Sequence, residues 1–428
     1  MKRTIRNYLI RILIMVVLSA IVVLVARALR PSYADSAEQR AGAEITEKYD
    51  LTLWYYDADL KNYMEVVKNE YFRHYGLRVD CQLVPVVDFF EQINSRNMVG
   101  KDAPDLYVTG TDKLEEAYLG GVARVNEDTE TYSLRNYSRN ALSAVMYDGK
   151  LIGYPLCFDT AFFVYNKSLL EEKPDSFASI EEMSASFVKD PESVVDMVML
   201  YNVEDMISNY PFIGAYLDMG GVNGDDVNSF NVYGEEMLEA AYFYQELSAN
   251  LHTDMETTTY DLAENSFVFG RSMMSILNCR SIAALNKNGT DYVICKMPKL
   301  NEELNTKTLS ANWCVCVNPG TSDPERVIQL AKFMTFDRAD LIYDATGYMS
   351  CARLSYKEKG FADVYAQYEM SGSLPKLIET EEMWKELKTL LNNIWNGSDV
   401  AAECSSFQSK VHDLLMFRRE GNKKEKLT

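Results

Sequence analysis

Histidine is nearly absent from this chain of 428 residues: there are three, His74, His252 and His412, far apart and each alone. Isolated histidines read as surface residues rather than ligands, because a metal centre needs several donors at close spacing. The sequence has no CxxC, no P-loop, no GxSxG, no HExxH and no GxGxxG behind a strand. The usual signatures of redox, nucleotide, serine-hydrolase, zinc-protease and dinucleotide chemistry are therefore missing. Basic residues are short as well, 43 Lys and Arg against 63 Asp and Glu, for a net charge of −20. So acidic a chain is a poor match for nucleic acid, whose recognition needs basic patches. Internal repeats and low-complexity segments are lacking. Nothing calls for a metal or a cofactor: the Asp- and Gly-rich stretch 218–226 misses the ligand spacing of an EF-hand and reads as a loop.

What is present begins with an unusual N-terminus. Lys2, Arg3, Arg6 and Arg11 precede an apolar run, residues 12–26, broken only by Ser19. The wider segment 9–29 has 21 residues, matching the ~20 that span a bilayer. Its basic flank, residues 1–8, belongs in the cytoplasm, which puts the rest outside the cell membrane as a single-pass protein. A second reading is a cleaved signal peptide, with small residues at Ser32 and Ala34 for the peptidase. No cysteine occurs before Cys81, so the usual lipoprotein anchor is missing. Six basic and no acidic residues fall in the first thirty, so the exported remainder carries −26. Residues 30–48 read as a linker and 418–428 as a disordered tail. Of the eight cysteines, Cys81, Cys279, Cys295, Cys314 and Cys316 lie in or beside apolar, strand-like runs, where thiols act as small hydrophobes.

From residue 51 strand and helix patterns alternate. Residues 51–55, 77–83 and 106–108 read as strands; Leu60, Met64, Val67 and Tyr71 recur at helical spacing, and Gly76 ends that helix. This order predicts an α/β domain with a mostly parallel sheet. Further strands are expected at 162–165, 272–277, 292–297 and 313–317, and helices at 235–251, 325–336, 381–395 and 400–417. The length predicts about two domains. In open α/β sheets ligands sit beyond the carboxyl ends of the strands. Position alone therefore nominates Asp57 and Asp59 after the first strand, Thr109, Asp112 and Lys113 after the third, and Asp159 after the Tyr154–Leu156 run. Asp112 reads equally well as a helix N-cap.

The motif DGKLIGYP from Asp148 to Pro155, then FVYNK from Phe163 to Lys167 and the Leu169, Leu170 pair, resembles the extracellular solute-binding proteins of ABC importers. The similar branch is the maltose-binding-protein-like, carbohydrate one. APDL from Ala103, the FGRSMM stretch from Phe269, Pro298 and the Val317, Asn318 pair are similar to further family motifs and come in the right order. The resemblance runs from about Leu51 to about Leu415. It implies a two-lobed periplasmic-binding-protein fold (type II, Venus-flytrap), residues 49–157 with 308–352 forming one lobe and 158–307 with 353–417 the other. It implies a non-enzymatic monomer that holds a small polar solute, a sugar, between the lobes and hands it to ABC permease subunits in the membrane. It further implies that ligand meets Asp57, Thr109, Asp112, Lys113, Asp159, Tyr210, Arg280 and Trp384. Thr109 and Arg280 stand where the maltose-binding branch has aromatics, a departure that disfavours a long maltodextrin. The three carboxylates also suit an amino sugar or polyamine, and a tethered ligand sensor is an alternative to import.

Overall fold

The computed structural model describes residues 49–425 apart from Lys101 and His252, with side chains through Met416. The expected membrane helix, residues 9–29, and its linker lie outside the described residues; no described helix is long and apolar enough to cross a membrane.

Strands β1 (Leu51–Tyr55), β2 (Val79–Leu83) and β3 (Leu106–Gly110) pair in parallel in the order β2-β1-β3. The crossover between β1 and β2 contains the helix Lys61–Tyr75. It buries Tyr63, Met64, Val67 and Tyr71, one stripe at helical spacing, and stops at Gly76, whose φ of 69° suits a residue without a side chain. The expected α/β order is thus borne out over this stretch.

The central strand departs from expectation. Residues 154–156 and 162–165 belong to one strand, β4 (Tyr154–Asn166), buried along all 13 residues. Its first half pairs antiparallel with β8 (Leu309–Val317), and its second half with β6 (Ser272–Asn278) and β7 (Tyr292–Cys295). β5 (Met197–Met199) extends this second part through β6, and β8 joins the first part to β3. Side chains alternate along β4 as the pleat requires: Phe158, Phe162 and Val164 enter one hydrophobic cluster with Leu53, Tyr63 and Val315, whereas Phe163 and Tyr165 enter another with Tyr201, Phe212, Tyr244 and Trp395. The chain closes with the helices Thr380–Trp395 and Val400–Glu425. The last helix continues into the segment expected to be a disordered tail, a correction to that reading. All eight cysteines are free, and the Cys314 and Cys316 sulfurs lie 3.9 Å apart on one face of β8.

Candidate functional site

β1 and β3 are parallel neighbours, so their carboxyl ends lie side by side, and the residues just beyond them form one rim. Asp57 follows β1 and accepts the Asp59 amide at 2.9 Å. Burial raises its carboxyl above the ordinary value, and the bonds from the Asp59 amide and Trp313 act against that. The Trp313 ring stacks on Tyr348 at 4.5 Å and 21°. The Tyr348 hydroxyl donates to Asp59 Oδ2 at 3.1 Å, and Arg280 Nη1 lies 3.9 Å from the same oxygen. The Arg280 guanidinium also sits 5.6 Å from the centre of the Tyr260 ring.

Asp159 meets this group from the middle of β4. It is 6% exposed, and the amides of Cys279 and Thr160 both donate to its Oδ1 at 3.0 Å. Burial pushes its carboxyl up to about 6, although the bonds from Cys279 and the charge of Arg280 oppose the rise. Asp57, Asp59 and Asp159 all act through space on the Tyr348 hydroxyl, which burial first and these charges second hold well above its ordinary value. Three carboxylates, one guanidinium and an aromatic pair thus converge.

A second group forms at the end of β3. Asp112 is half-buried, and burial raises its carboxyl while Lys113 opposes that. Lys113 Nζ lies 3.1 Å from Glu381 Oε2 on the helix Thr380–Trp395. Trp384, one turn along that helix, stacks on Tyr210 at 5.9 Å and 29°. Asp112, Lys113, Glu381 and Trp384 line a cavity of about 330 Å³, and Tyr210 lines a neighbouring one of about 250 Å³ with Asp218, Asn223 and Lys307.

The eight residues expected from the sequence therefore sort into two groups and one outlier. Asp57, Asp159 and Arg280 come together, as do Asp112, Lys113, Tyr210 and Trp384. Thr109 is fully buried and its hydroxyl is 3.1 Å from that of Tyr56. Tyr56, which also accepts the Gly110 amide at 2.8 Å, links the ends of β1 and β3 and is the polar aromatic group Thr109 holds in place. Asp112 is not the N-cap its position suggested. It lies inside a single turn, Thr111–Lys113, and the helix Leu114–Leu119 has no side-chain cap. Sequence reasoning missed Trp313 and Tyr348. Trp313 sat in an apolar strand run, and only its position opposite Gly110 across β8 and β3 marks it out.

The model of the family described as bacterial extracellular solute-binding protein matches residues 70–369. The chain is similar to the maltodextrin-binding protein MdxE of Bacillus subtilis (strain 168), 23% identical over 391 residues, 86% of this chain and 88% of that one. It is similar also to the galactooligosaccharide-binding protein of the same organism, 21% identical over 401 residues, 87% of this chain and 93% of that one. Among solved structures it resembles the extracellular solute-binding protein of Staphylococcus aureus in complex with maltose, with a TM-score of 0.72 at 17% identity, covering 86% of this chain and 98% of that chain. At this identity the likeness to the solved structure is one of fold, and the fold is the expected two-lobed α/β one.

Proposed function

The chain belongs to the bacterial extracellular solute-binding protein family, and from that premise we propose that it is the sugar-binding component of an ABC importer. It captures a mono- or oligosaccharide between two hinged lobes and delivers it to a membrane permease. The observation that carries this reading is the pairing of aromatic faces with fixed carboxylates, Trp313 on Tyr348 beside Asp57 and Asp159, and Trp384 on Tyr210 beside Asp112. Carboxylates accept hydrogen bonds from sugar hydroxyls, and Lys113 and Arg280 supply donors. Aromatic rings cover the apolar face of a pyranose. A ligand touching both lobes favours their closed arrangement, so capture and closure are one event. The names of the curated relatives, for maltodextrin and galactooligosaccharide, support a carbohydrate over other polar solutes.

In this reading the lobes are 49–157 with 308–352 and 158–307 with 353–417, and the protein works as a monomer tethered by residues 9–29. A tether keeps it close to its permease and raises its local concentration there. The crowding of Asp57, Asp59 and Asp159 around one Arg280 favours a second ligand class, an amino sugar, whose ammonium group would offset the excess negative charge.

A thermal-shift screen against malto- and galactooligosaccharides, monosaccharides, amino sugars and polyamines tests the proposal. A true ligand at ~100 times its dissociation constant adds roughly 2.7 kcal/mol of stability. Trp384→Ala is expected to weaken that ligand roughly ten- to a hundredfold, by loss of ring contact, with the melting temperature of the free protein changed by only a few degrees. A screen silent across every sugar, or unchanged affinity in the variant, would count against the function and the site respectively.

A further inference from the structure

A separate cavity of about 350 Å³ lies between the helix Ile342–Thr346 and the segment 354–361, and none of the eight candidate residues lines it. Its walls are aromatic. Phe361 stacks on Tyr356 at 5.3 Å and 13° and meets Tyr343 edge-on at 4.5 Å. Asp340, Asp344 and Glu358 line it against a single cation, Lys357, and Arg338 already pairs with Asp340 at 3.3 Å.

We propose that this cavity is a second small-molecule site, for an organic ammonium ion with an aromatic body, and that it is coupled to the sugar cleft through Tyr343. Aromatic walls take the ring, and ring faces and carboxylates both attract the ammonium. The Tyr343 hydroxyl accepts the Ala283 amide at 3.0 Å and donates to the Cys279 carbonyl at 3.2 Å. The Cys279 amide donates to Asp159. One residue thus joins a wall of this cavity to the carboxylate of the cleft, so displacement of Tyr343 reaches Asp159. Binding at the cavity goes beyond the solute-binding reading, and only the coupling rests on it.

The probe is tyramine, titrated calorimetrically into the full-length protein. The expected result is one saturable site per chain, and none for hydroxyphenylpropionate, which replaces the ammonium by a carboxylate. The double variant Asp344→Asn, Glu358→Gln should lose roughly tenfold or more in affinity, while Asp57→Asn leaves it unchanged. Absence of saturable binding overturns the site. So does loss of binding in Asp57→Asn with the double variant unaffected, since tyramine would then sit in the acidic cleft. Once the screen has supplied a cleft ligand, tyramine should change its affinity in the wild type and not in Tyr343→Phe, which keeps the ring and removes both bridging bonds. Tyramine that binds without altering cleft affinity overturns the coupling alone, and a protein with no cleft ligand overturns the sugar reading while the tyramine result stands.

Discussion

Replacing Asp159 by asparagine is expected to stabilise the ligand-free protein while crippling its affinity. Asp159 lies on a central strand with 6% exposure, where its charge is expensive, and burial lifts its carboxyl from the ordinary 3.8 to about 6. A folded-state value above the unfolded one means that the folded chain binds the extra proton between those two values. Stability from this residue is therefore greatest below about pH 4, falls as pH rises towards 6, and is lower by about 3 kcal/mol at neutral pH. Asparagine keeps an oxygen for the Cys279 and Thr160 amides, which both go to Oδ1, and carries no charge to desolvate. Denaturant unfolding should find Asp159→Asn more stable than wild type by up to about 3 kcal/mol at pH 7.5 and the gap closed near pH 4. Ligand affinity should move the other way, by roughly ten- to a hundredfold, because an anionic acceptor is replaced by a neutral one. A gap of equal size at both pH values would mean that the charge is not what the fold pays for.

The parts of the site that were legible in the sequence are those fixed by local rules. Asp57 and Asp112 were found because they sit just past the ends of β1 and β3, and strand ends follow from apolar runs alone. The helix Glu235–Leu251 was read to its boundaries because its buried face, including Met237, Ala240, Tyr244, Leu247 and Leu251, repeats at helical spacing. The parts that were not legible depend on partners far away in sequence. Asp159 and Thr160 looked like a break between two strands, and they are instead buried within one, where the Cys279 amide, 120 residues on, helps to satisfy the carboxylate. Trp313 heads the run WCVCV and looked like core. A register shift between Trp313 and Cys314 in the pairing of β8 with β4 lets it turn to Asp57 and Tyr348 while Cys314 stays fully buried. Tyr348 follows Gly347, at φ 78°, and nothing in its own neighbourhood announces a functional ring. Thr109 shows the converse error: it was expected beyond β3, yet it lies within that strand and its side chain turns inward to Tyr56.

Lys376 gives the second large effect, again through burial of a charge. It is wholly buried, and its ammonium donates to the Ser143 carbonyl at 2.6 Å and to the Asn223 carbonyl. Its own amide donates to the Gly224 carbonyl at 2.7 Å, and its carbonyl accepts the Glu115 amide at 3.3 Å. One lysine therefore ties the helix Arg139–Ala144 to the 220–226 turn and to the segment before the helix that carries Trp384. Burial lowers its ammonium from the ordinary 10.5 to about 8, with Asp225 opposing through space. Here the folded value lies below the unfolded one, so the unfolded chain holds the extra proton between pH 8 and 10.5. The contribution of Lys376 to stability is thus constant below about pH 8 and rises above it, by about 3 kcal/mol in full. Lys376→Met fills the space without a charge and strands two carbonyls, at a cost of roughly 1–3 kcal/mol each, so that at pH 7 the relief of desolvation and the lost bonds nearly cancel. The expected result is a variant within about 2 kcal/mol of wild type at pH 7 that falls steadily behind it as pH rises to 10. Taking the difference between the two proteins removes the titration of the buried tyrosines, which both share. If the two unfolding free energies instead run parallel from pH 7 to 10, the lysine titrates in the folded protein as it does in the unfolded chain and does not pin the turn as a desolvated cation.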